Sequence, residues 1–234
     1  MVLKKLKLLW DEPRIGFLLA LSFLYLLNLV LLLVRFVIAG NNEFWYLAWN
    51  LLLGTMPLLF AIAFYKLTKK GIRLKWGQIV LFALWLLFLP NSFYIVSDLV
   101  HLTESPDDLL IFDVVLISTY AITGLVLGFL SLALMHIRFA RISRKTSNAV
   151  VFGSLLLCGY AIYLGRYLRW NSWDVVTNPF GIIFDVSNSL INPRKYTESV
   201  GTTLLFFVFL SSIYFVLWKG ILYAQSFKKQ RVLK

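Results

Sequence analysis

The chain has 234 residues, of which 60% are hydrophobic and only 15% are charged, and its formal net charge is +12. A water-soluble domain is closer to half apolar and a quarter charged, so the composition excludes an ordinary soluble protein. In a soluble protein this charge would indicate nucleic-acid binding, but here the basic residues lie between long apolar runs. We therefore expect one membrane domain over residues 1–234, in contact with membrane lipids and with no nucleic-acid partner.

Six apolar stretches are long enough to cross about 30 Å of hydrocarbon as α-helices. They predict an all-α, polytopic integral membrane protein with about six transmembrane helices. The stretches are Ile15–Ala39, Phe44–Leu67, Trp76–Pro90, Leu110–His136, Ala149–Arg169 and Val200–Tyr223.

Lysine and arginine residues concentrate at one end of these stretches. Most of the 23 basic residues lie in four segments that alternate with acidic connections. Basic connections stay on the cytoplasmic side of a membrane, so both chain termini are predicted to be cytoplasmic and the acidic connections to lie outside. We call these two sides the basic end and the outer end. The four basic segments are residues 4–14, 66–75, 138–145 and 219–234.

The connection between the fifth and sixth stretches is the longest on the predicted outer side. In it, Asn178 followed by Pro179 is typical of a helix start, with Asn as the N-cap and Pro at the first helical position. The residues from Phe180 to Ile191 mix apolar and polar side chains. They predict a short amphipathic helix on the outer leaflet, and the alternative is a plug that dips back into the bundle.

Small residues in the fourth stretch predict a helix–helix contact. On a helical wheel of 100° per residue, Gly124 and Gly128 fall within about 60° of Asp113. Asp113 is therefore expected to point into the protein near the outer end, whereas Leu127 is expected to face lipid.

A stripe of small side chains also runs along the fifth stretch. Arg169 continues this stripe at the outer end, and Arg166 lies about 60° from it. A charge within the membrane is costly unless it is paired or hydrated, so we expect Asp113 to pair with Arg166 or Arg169. Two roles are open for the pair: a structural contact that closes the bundle, or a ligand site. The stripe consists of Ser154, Cys158, Ala161 and Gly165.

Polar residues follow the third stretch in a pattern that suits acid–base chemistry. If the helix is kinked at Pro90 and continues to about Leu102, then Tyr94, Asp98 and His101 share one face. Asp98 and His101 are the candidate catalytic pair, with the carboxylate orienting an imidazole that acts as a general base. An Asp-x-x-His pair also suits a metal, but two ligands do not define a metal site and none is predicted.

A second polar cluster, GRYLRWNSWD over residues 165–174, combines two arginines with aromatic side chains. Such a set suits a phosphate or carboxylate beside a sugar or a lipid head. The alternative is an interfacial aromatic belt with arginines that reach the water. The candidate ligand-binding residues are Asn91, Tyr94, Asp113, Arg166, Arg169, Trp170, Asn171 and Asp174.

Two segments of the chain resemble the signature stretches of an uncharacterised bacterial family of multi-pass membrane proteins, domain of unknown function 1361. They are LPNSFYIVSDLVHL (Leu89 to Leu102) and LGRYLRWNSWD (Leu164 to Asp174). The resemblance covers most of the chain, although Ser92 and Phe93 stand where relatives often carry a small residue and proline. It implies a bacterial cytoplasmic membrane as the location and no established activity.

Three functions from different classes remain open. The first is binding or turnover of a lipid-linked or envelope substrate at the outer end, where the ligand would be lipid-linked or a small anion. The second is a small-molecule permease or the substrate-binding part of a transporter, which requires polar residues at mid-membrane depth. The third is assembly with a protein partner in the membrane. The sequence identifies no cofactor. The mid-membrane polar candidates are Asn28, Asn50, Thr55 and Tyr120.

Overall fold

The structure, a computed structural model, describes residues 12–73, 75–192 and 196–232. Within these ranges the chain is entirely helical apart from its connections. The elements are α1 (Pro13–Ala39), α2 (Trp45–Leu67), α3 (Trp76–Tyr94), a 3-10 helix (Ile95–Glu104), α4 (Leu110–Phe139), α5 (Arg144–Tyr167), α6 (Asp174–Thr177), α7 (Pro179–Ile191) and α8 (Thr197–Val232).

Six of these elements are long and apolar enough to cross a membrane, which confirms the predicted all-α, multi-pass class. They are α1, α2, α3 together with the 3-10 helix, α4, α5 and α8. Hydrocarbon offers no partner for backbone polar groups, so long apolar segments of this length satisfy those groups internally as helices.

Local capping sets the start of α5 five residues before the predicted one. The side chain of Ser143 accepts a hydrogen bond from the backbone N–H of Thr146 at 2.9 Å. This bond satisfies one of the free N–H groups at the helix start, so α5 begins at Arg144 and not at Ala149.

The predicted helix in the outer connection is present as α7. The Asn178 side chain accepts from the N–H of Gly181 at 3.1 Å, and Pro179 is the first helical residue. Phe180 and Phe184 are largely exposed along one side of α7, as an interfacial helix requires. A contact between the hydroxyls of Tyr160 and Ser189 joins α7 to α5.

Ser92 of α3 lies in the closest approach between α2, α3 and α4. Its hydroxyl donates to the carbonyl oxygen of Gly54 at 2.6 Å. A Cβ at Gly124 would collide with the Ser92 carbonyl oxygen, and one at Gly128 would lie 2.6 Å from the Phe93 ring. The predicted helix–helix contact of Gly124 and Gly128 is therefore confirmed, and α3 is the neighbour.

The prediction that Leu127 faces lipid is wrong, because its side chain is fully buried. Leu127 follows Asp113 by 14 residues, which is nearly four turns at 3.6 residues per turn. The two residues therefore share a face. The exposed side of α4 is marked instead by Ile122 and Val126.

The small-residue stripe of α5 also lies at contacts. Ser154 and Cys158 are buried, and a Cβ at Gly165 would lie 2.9 Å from the Tyr94 ring. Gly159, beside the stripe, lies against the backbone of Thr203 in α8. The stripe thus brings α5 close to α3 at the outer end.

The distribution of basic residues between the two ends of the bundle predicts the membrane topology. A reporter inserted after Lys70, after Lys145 or at the end of α8 is expected to report the cytoplasm, and one within residues 104–108 the outside, because basic connections remain cytoplasmic. Fusions to alkaline phosphatase and to green fluorescent protein measure this. An outside signal at Lys70 or Lys145 contradicts the six-span arrangement. Lys4, Lys5 and Lys7 lie outside the described residues.

Candidate ligand-binding site

The third span continues past Pro90, as predicted, but it changes helix type at Ile95. From there to Glu104 it is a 3-10 helix. Such a helix has three residues per turn, so residues three apart lie in one row. Asp98, His101 and Glu104 follow Ile95 along such a row, from buried to exposed. Asp98 and His101 therefore lie on the same face of the helix, as predicted.

Arg166, in the last turn of α5, is the centre of the site. Its Nη2 lies 2.6 Å from Oδ1 of Asp98 and 2.7 Å from the Ser97 hydroxyl. Its Nη1 lies 3.1 Å from Nε2 of His101. The guanidinium carbon also lies 4.8 Å from the centre of the Tyr94 ring, in cation–π geometry. These contacts neutralise the buried carboxylate and fix the arginine in one orientation.

The remaining atoms of this network have partners as well. Oδ2 of Asp98 accepts from the Asn50 side chain at 3.0 Å. An arginine N–H only donates, so Nε2 of His101 is the acceptor in its contact with Arg166. The hydrogen is then on Nδ1, which lies 3.3 Å from Glu104 Oε2. Both the carboxylate and the imidazole are engaged in the structure.

These side chains border a cavity of about 330 Å³ at the outer end. Ligand pockets of roughly 300–1,000 Å³ accommodate small molecules and headgroups. Seven of the ten predicted site residues line it. They are Asn91, Tyr94, Asp98, His101, Arg166, Trp170 and Asn171.

The cavity has a polar part and an apolar part. Leu53, Leu87 and Leu164 contribute apolar walls, and Ile182 of α7 lies on the border. Leu87 precedes Tyr94 by seven residues along α3, which places it about 10 Å deeper in the bundle. The polar groups therefore lie toward the outer surface and much of the apolar lining lies toward the membrane interior.

The two signature stretches meet at this cavity. Nδ2 of Asn91 donates to the Phe88 carbonyl at 3.0 Å and to the Ser172 hydroxyl at 2.8 Å. The indole N–H of Trp170 donates to Asp185 of α7 at 2.9 Å. Side-chain hydrogen bonds thus connect α3, the segment after α5 and the interfacial helix around one space.

The predicted pairing of Asp113 with Arg166 or Arg169 is wrong. Asp113 pairs with Arg35 of α1, with Nε to Oδ1 at 2.6 Å and Nη2 to Oδ2 at 3.2 Å. Both side chains are almost fully buried, and Asp113 does not border the cavity. The helical wheel correctly predicted that Asp113 points into the protein, but it could not show which helix lies beside it. The signal missed was Arg35, the only charged residue of the first apolar stretch.

Arg169 and Asp174 also lie outside the cavity lining. α5 ends at Tyr167, so Arg169 does not continue the stripe; it is exposed and has a left-handed φ of 59°. The Asp174 carboxylate accepts from the backbone N–H of Asn171 at 2.7 Å and from the Thr177 hydroxyl at 3.0 Å. Its visible role is to hold the turn from Asn171 into the short helix α6.

Sequence reasoning did not assign several lining and supporting residues to the site. Asn50 had been noted only for its depth, and Tyr46 is one of many aromatic residues, so neither carried a distinguishing pattern. Among the described residues, no group of three or more His, Cys, Asp or Glu side chains is placed to hold a metal ion. The unassigned residues are Tyr46, Asn50, Ser97, Ser172 and Asp185.

Comparison with known proteins agrees with the resemblance of the two signature stretches. The family described as "Protein of unknown function (DUF1361)" matches residues 49–220, and the chain belongs to it. The match includes both stretches and seven of the eight described α-helices in whole or in greater part, from α2 onward. No curated protein and no solved structure matches the chain.

Proposed function

We propose that this family member binds an amphipathic, lipid-linked molecule at the outer end of a bacterial cytoplasmic membrane and holds its hydroxyl-rich headgroup in the cavity around Arg166. The observation that carries the proposal is that the polar and the apolar residues of the lining occupy different parts of the cavity. Tyr94, His101 and Arg166 lie near the outer surface, and Leu87 lies about 10 Å deeper than Tyr94 along α3. A headgroup attached to a lipid tail matches that division, whereas a small water-soluble ion would leave the apolar part unfilled.

The charges in the cavity favour a hydrogen-bonding headgroup over a bare anion. Arg166 is already neutralised by Asp98, and among the described residues no second cation lines the space. What remains to contact a ligand are the amide of Asn171, the side-chain oxygen of Asn91, whose nitrogen already donates twice, and the aromatic side chains of the lining, of which Trp170 is one. Amides bond to hydroxyls as donor and acceptor, and aromatic faces pack on sugar rings.

Binding is favoured over acid–base catalysis by the same bonds. In the neutral imidazole of His101 the one free ring lone pair is on Nε2, and it accepts from Arg166, while Asp98 is held by Arg166 and Asn50. A general base needs a lone pair directed at the substrate proton, and the imidazole has none free in this arrangement. Turnover by Asp98 and His101 is the second candidate, and it requires the ligand to displace Arg166 from the imidazole.

Transport is less well supported. Of the four polar residues expected at mid-membrane depth, Asn50 borders the cavity. The Asn28 side chain donates to Thr123 at 2.7 Å, and Thr55 bonds to the Leu51 carbonyl at 2.7 Å. The first bond joins α1 to α4 and the second stays within α2, so neither side chain is turned toward the cavity.

Substitution of Asn171 tests the proposal. The Asn171 side chain makes no hydrogen bond to the described residues, so Asn171→Ala is expected to leave folding intact while removing a ligand contact. One lost hydrogen bond corresponds to roughly a fivefold weaker affinity. Native mass spectrometry of the purified chain, titrated with glucosyl diacylglycerol and with diacylglycerol, measures the preference.

The matched control is Asn192→Ala, which removes an exposed asparagine from the same face of the molecule but outside the cavity. Wild type and control are expected to prefer the glycolipid, and Asn171→Ala to lose much of that preference. Equal binding of the two lipids by the wild type contradicts a headgroup site. Equal weakening by both variants contradicts the location.

A further inference from the structure

A second cavity, of about 380 Å³, lies at the basic end of the bundle. It is formed by the end of α4, the start of α5 and the inner part of α8. None of its lining residues belongs to the outer site. Its lining combines basic, polar and aromatic side chains, among them His136, Arg144, Asn148, Phe152, Trp218 and Lys219.

The cavity carries uncompensated positive charge. Neither Arg144 nor Lys219 takes part in an ion pair among the described residues. Within the described part of the chain, no Asp or Glu lines the space, and the acids lie at the outer end, apart from Glu12. The start of α5 also faces this end, and the partial positive charge of a helix N-terminus adds to the two cations.

The depth of the cavity matches the phosphate layer of a bilayer. Lys219 follows Thr197, the first residue of α8, by 22 residues, a distance of roughly 33 Å along a helix. The hydrocarbon core is about 30 Å thick. A helix that enters at the outer end thus places Lys219 at the opposite interface, where phosphate groups of the inner leaflet lie.

The walls suit a lipid tail beside that phosphate. Phe215 and Leu222 on α8 and Phe152 on α5 are exposed next to the cations. Behind them, His136 stacks on Trp218 with ring centres 4.1 Å apart and bonds to the Tyr214 hydroxyl at 2.8 Å. This paired ring system gives the cavity a fixed, flat floor.

We propose that this inner cavity binds an anionic phospholipid of the inner leaflet. Arg144 and Lys219 contact its phosphate, Asn148 supplies a further hydrogen-bond donor, and Phe152, Phe215 and Leu222 contact its acyl chains. The lipid is held between α5 and α8, so its binding stabilises the contact between these two helices. The site is separate from the outer cavity and its ligand.

The test titrates the purified full chain with phosphatidylglycerol and with phosphatidylcholine and follows binding by native mass spectrometry. The wild type is expected to prefer phosphatidylglycerol. Each cation near the membrane surface contributes roughly a fivefold affinity, so Arg144→Gln combined with Lys219→Gln is expected to weaken phosphatidylglycerol binding about 25-fold. Both side chains are exposed, so unfolding of this variant in phosphatidylcholine is expected to match the wild type.

The matched control is Lys69→Gln combined with Lys70→Gln, which removes two exposed cations of the basic end that do not line the cavity. It is expected to change binding less than about twofold. Equal weakening by the two double variants would show nonspecific surface attraction and overturn the proposal. If glycerol 3-phosphate competes as well as the lipid does, the site takes free anions and the lipid assignment is wrong. Asn171→Ala is expected to leave this binding unchanged, so the outcome is independent of the outer site.

Discussion

Replacement of Asp113 with asparagine is expected to lower the free energy of unfolding by about 3–5 kcal/mol, because it leaves the charge of Arg35 buried without a carboxylate. Arg35 is only 2% exposed, and Asp113 is not exposed at all. Nη1 of Arg35 already has no hydrogen-bond partner in the described structure, and the other carboxylate near the guanidinium, that of Glu43, is largely exposed to solvent.

Glu43 provides the control for this prediction. Its carboxylate also lies near Arg35, at 3.7 Å, but it is 60% exposed. Exposed ion pairs contribute roughly 0–1 kcal/mol, so Glu43→Gln is expected to have a small effect. Reversible unfolding in mixed micelles measures both variants. Equal losses for Asp113→Asn and Glu43→Gln would contradict the buried pair.

A reciprocal exchange separates charge from packing. Arg35→Asp combined with Asp113→Arg restores opposite charges at the same two positions, and it is expected to recover part of the stability lost in Asp113→Asn. Because neither residue borders the outer cavity, ligand binding per folded molecule is expected to remain unchanged in all these variants. Loss of binding in a variant that folds normally would place Asp113 in the site after all.

The length and capping of the helices could be predicted from sequence because local chemistry determines them. Hydrocarbon thickness requires apolar stretches of about 20 residues, and six such stretches were evident. Asn178 and Pro179 define the start of α7 through a hydrogen bond to a residue three positions away. The start of α5 was missed because the apolar pattern begins after Ser143, which is the residue that caps the helix.

The partners of the charged residues could not be predicted in the same way. A helical wheel shows that Asp113 faces the protein, but the neighbouring helix depends on the order of helices in the bundle. Arg35 and Arg166 both lie near the outer end, yet Arg35 pairs with Asp113 and Arg166 pairs with Asp98. The order of the helices decides which carboxylate each arginine meets. The change to a 3-10 helix at Ile95 was likewise not visible in the apolar pattern, and it places Asp98 beside Asn50 of α2.

Substitution of Gly124 with leucine is expected to be strongly destabilising. A Cβ at this position already collides with the Ser92 carbonyl oxygen, which is backbone and cannot rotate away. α3 would therefore have to move relative to α4, and this disturbs the packing in which the Ser92 hydroxyl donates to Gly54 of α2. Overpacking costs typically 1–3 kcal/mol, and a clash with backbone, which cannot rotate away, places this variant at the upper end of that range.

The same displacement is expected to reach the outer cavity, because Asn91 and Tyr94 lie on α3 within a turn of Ser92. Gly153→Leu is the matched control, since a Cβ at Gly153 meets no atom within 4 Å and its helix, α5, also spans the membrane. Thermal unfolding and glycolipid binding of the two variants give the comparison. Gly153→Leu is expected to match the wild type in both, whereas Gly124→Leu is expected to lose stability and, in the molecules that remain folded, affinity. If the two variants unfold at the same temperature, the close approach of α3 and α4 does not exist, and the placement of Asn91 and Tyr94 in the site loses its basis.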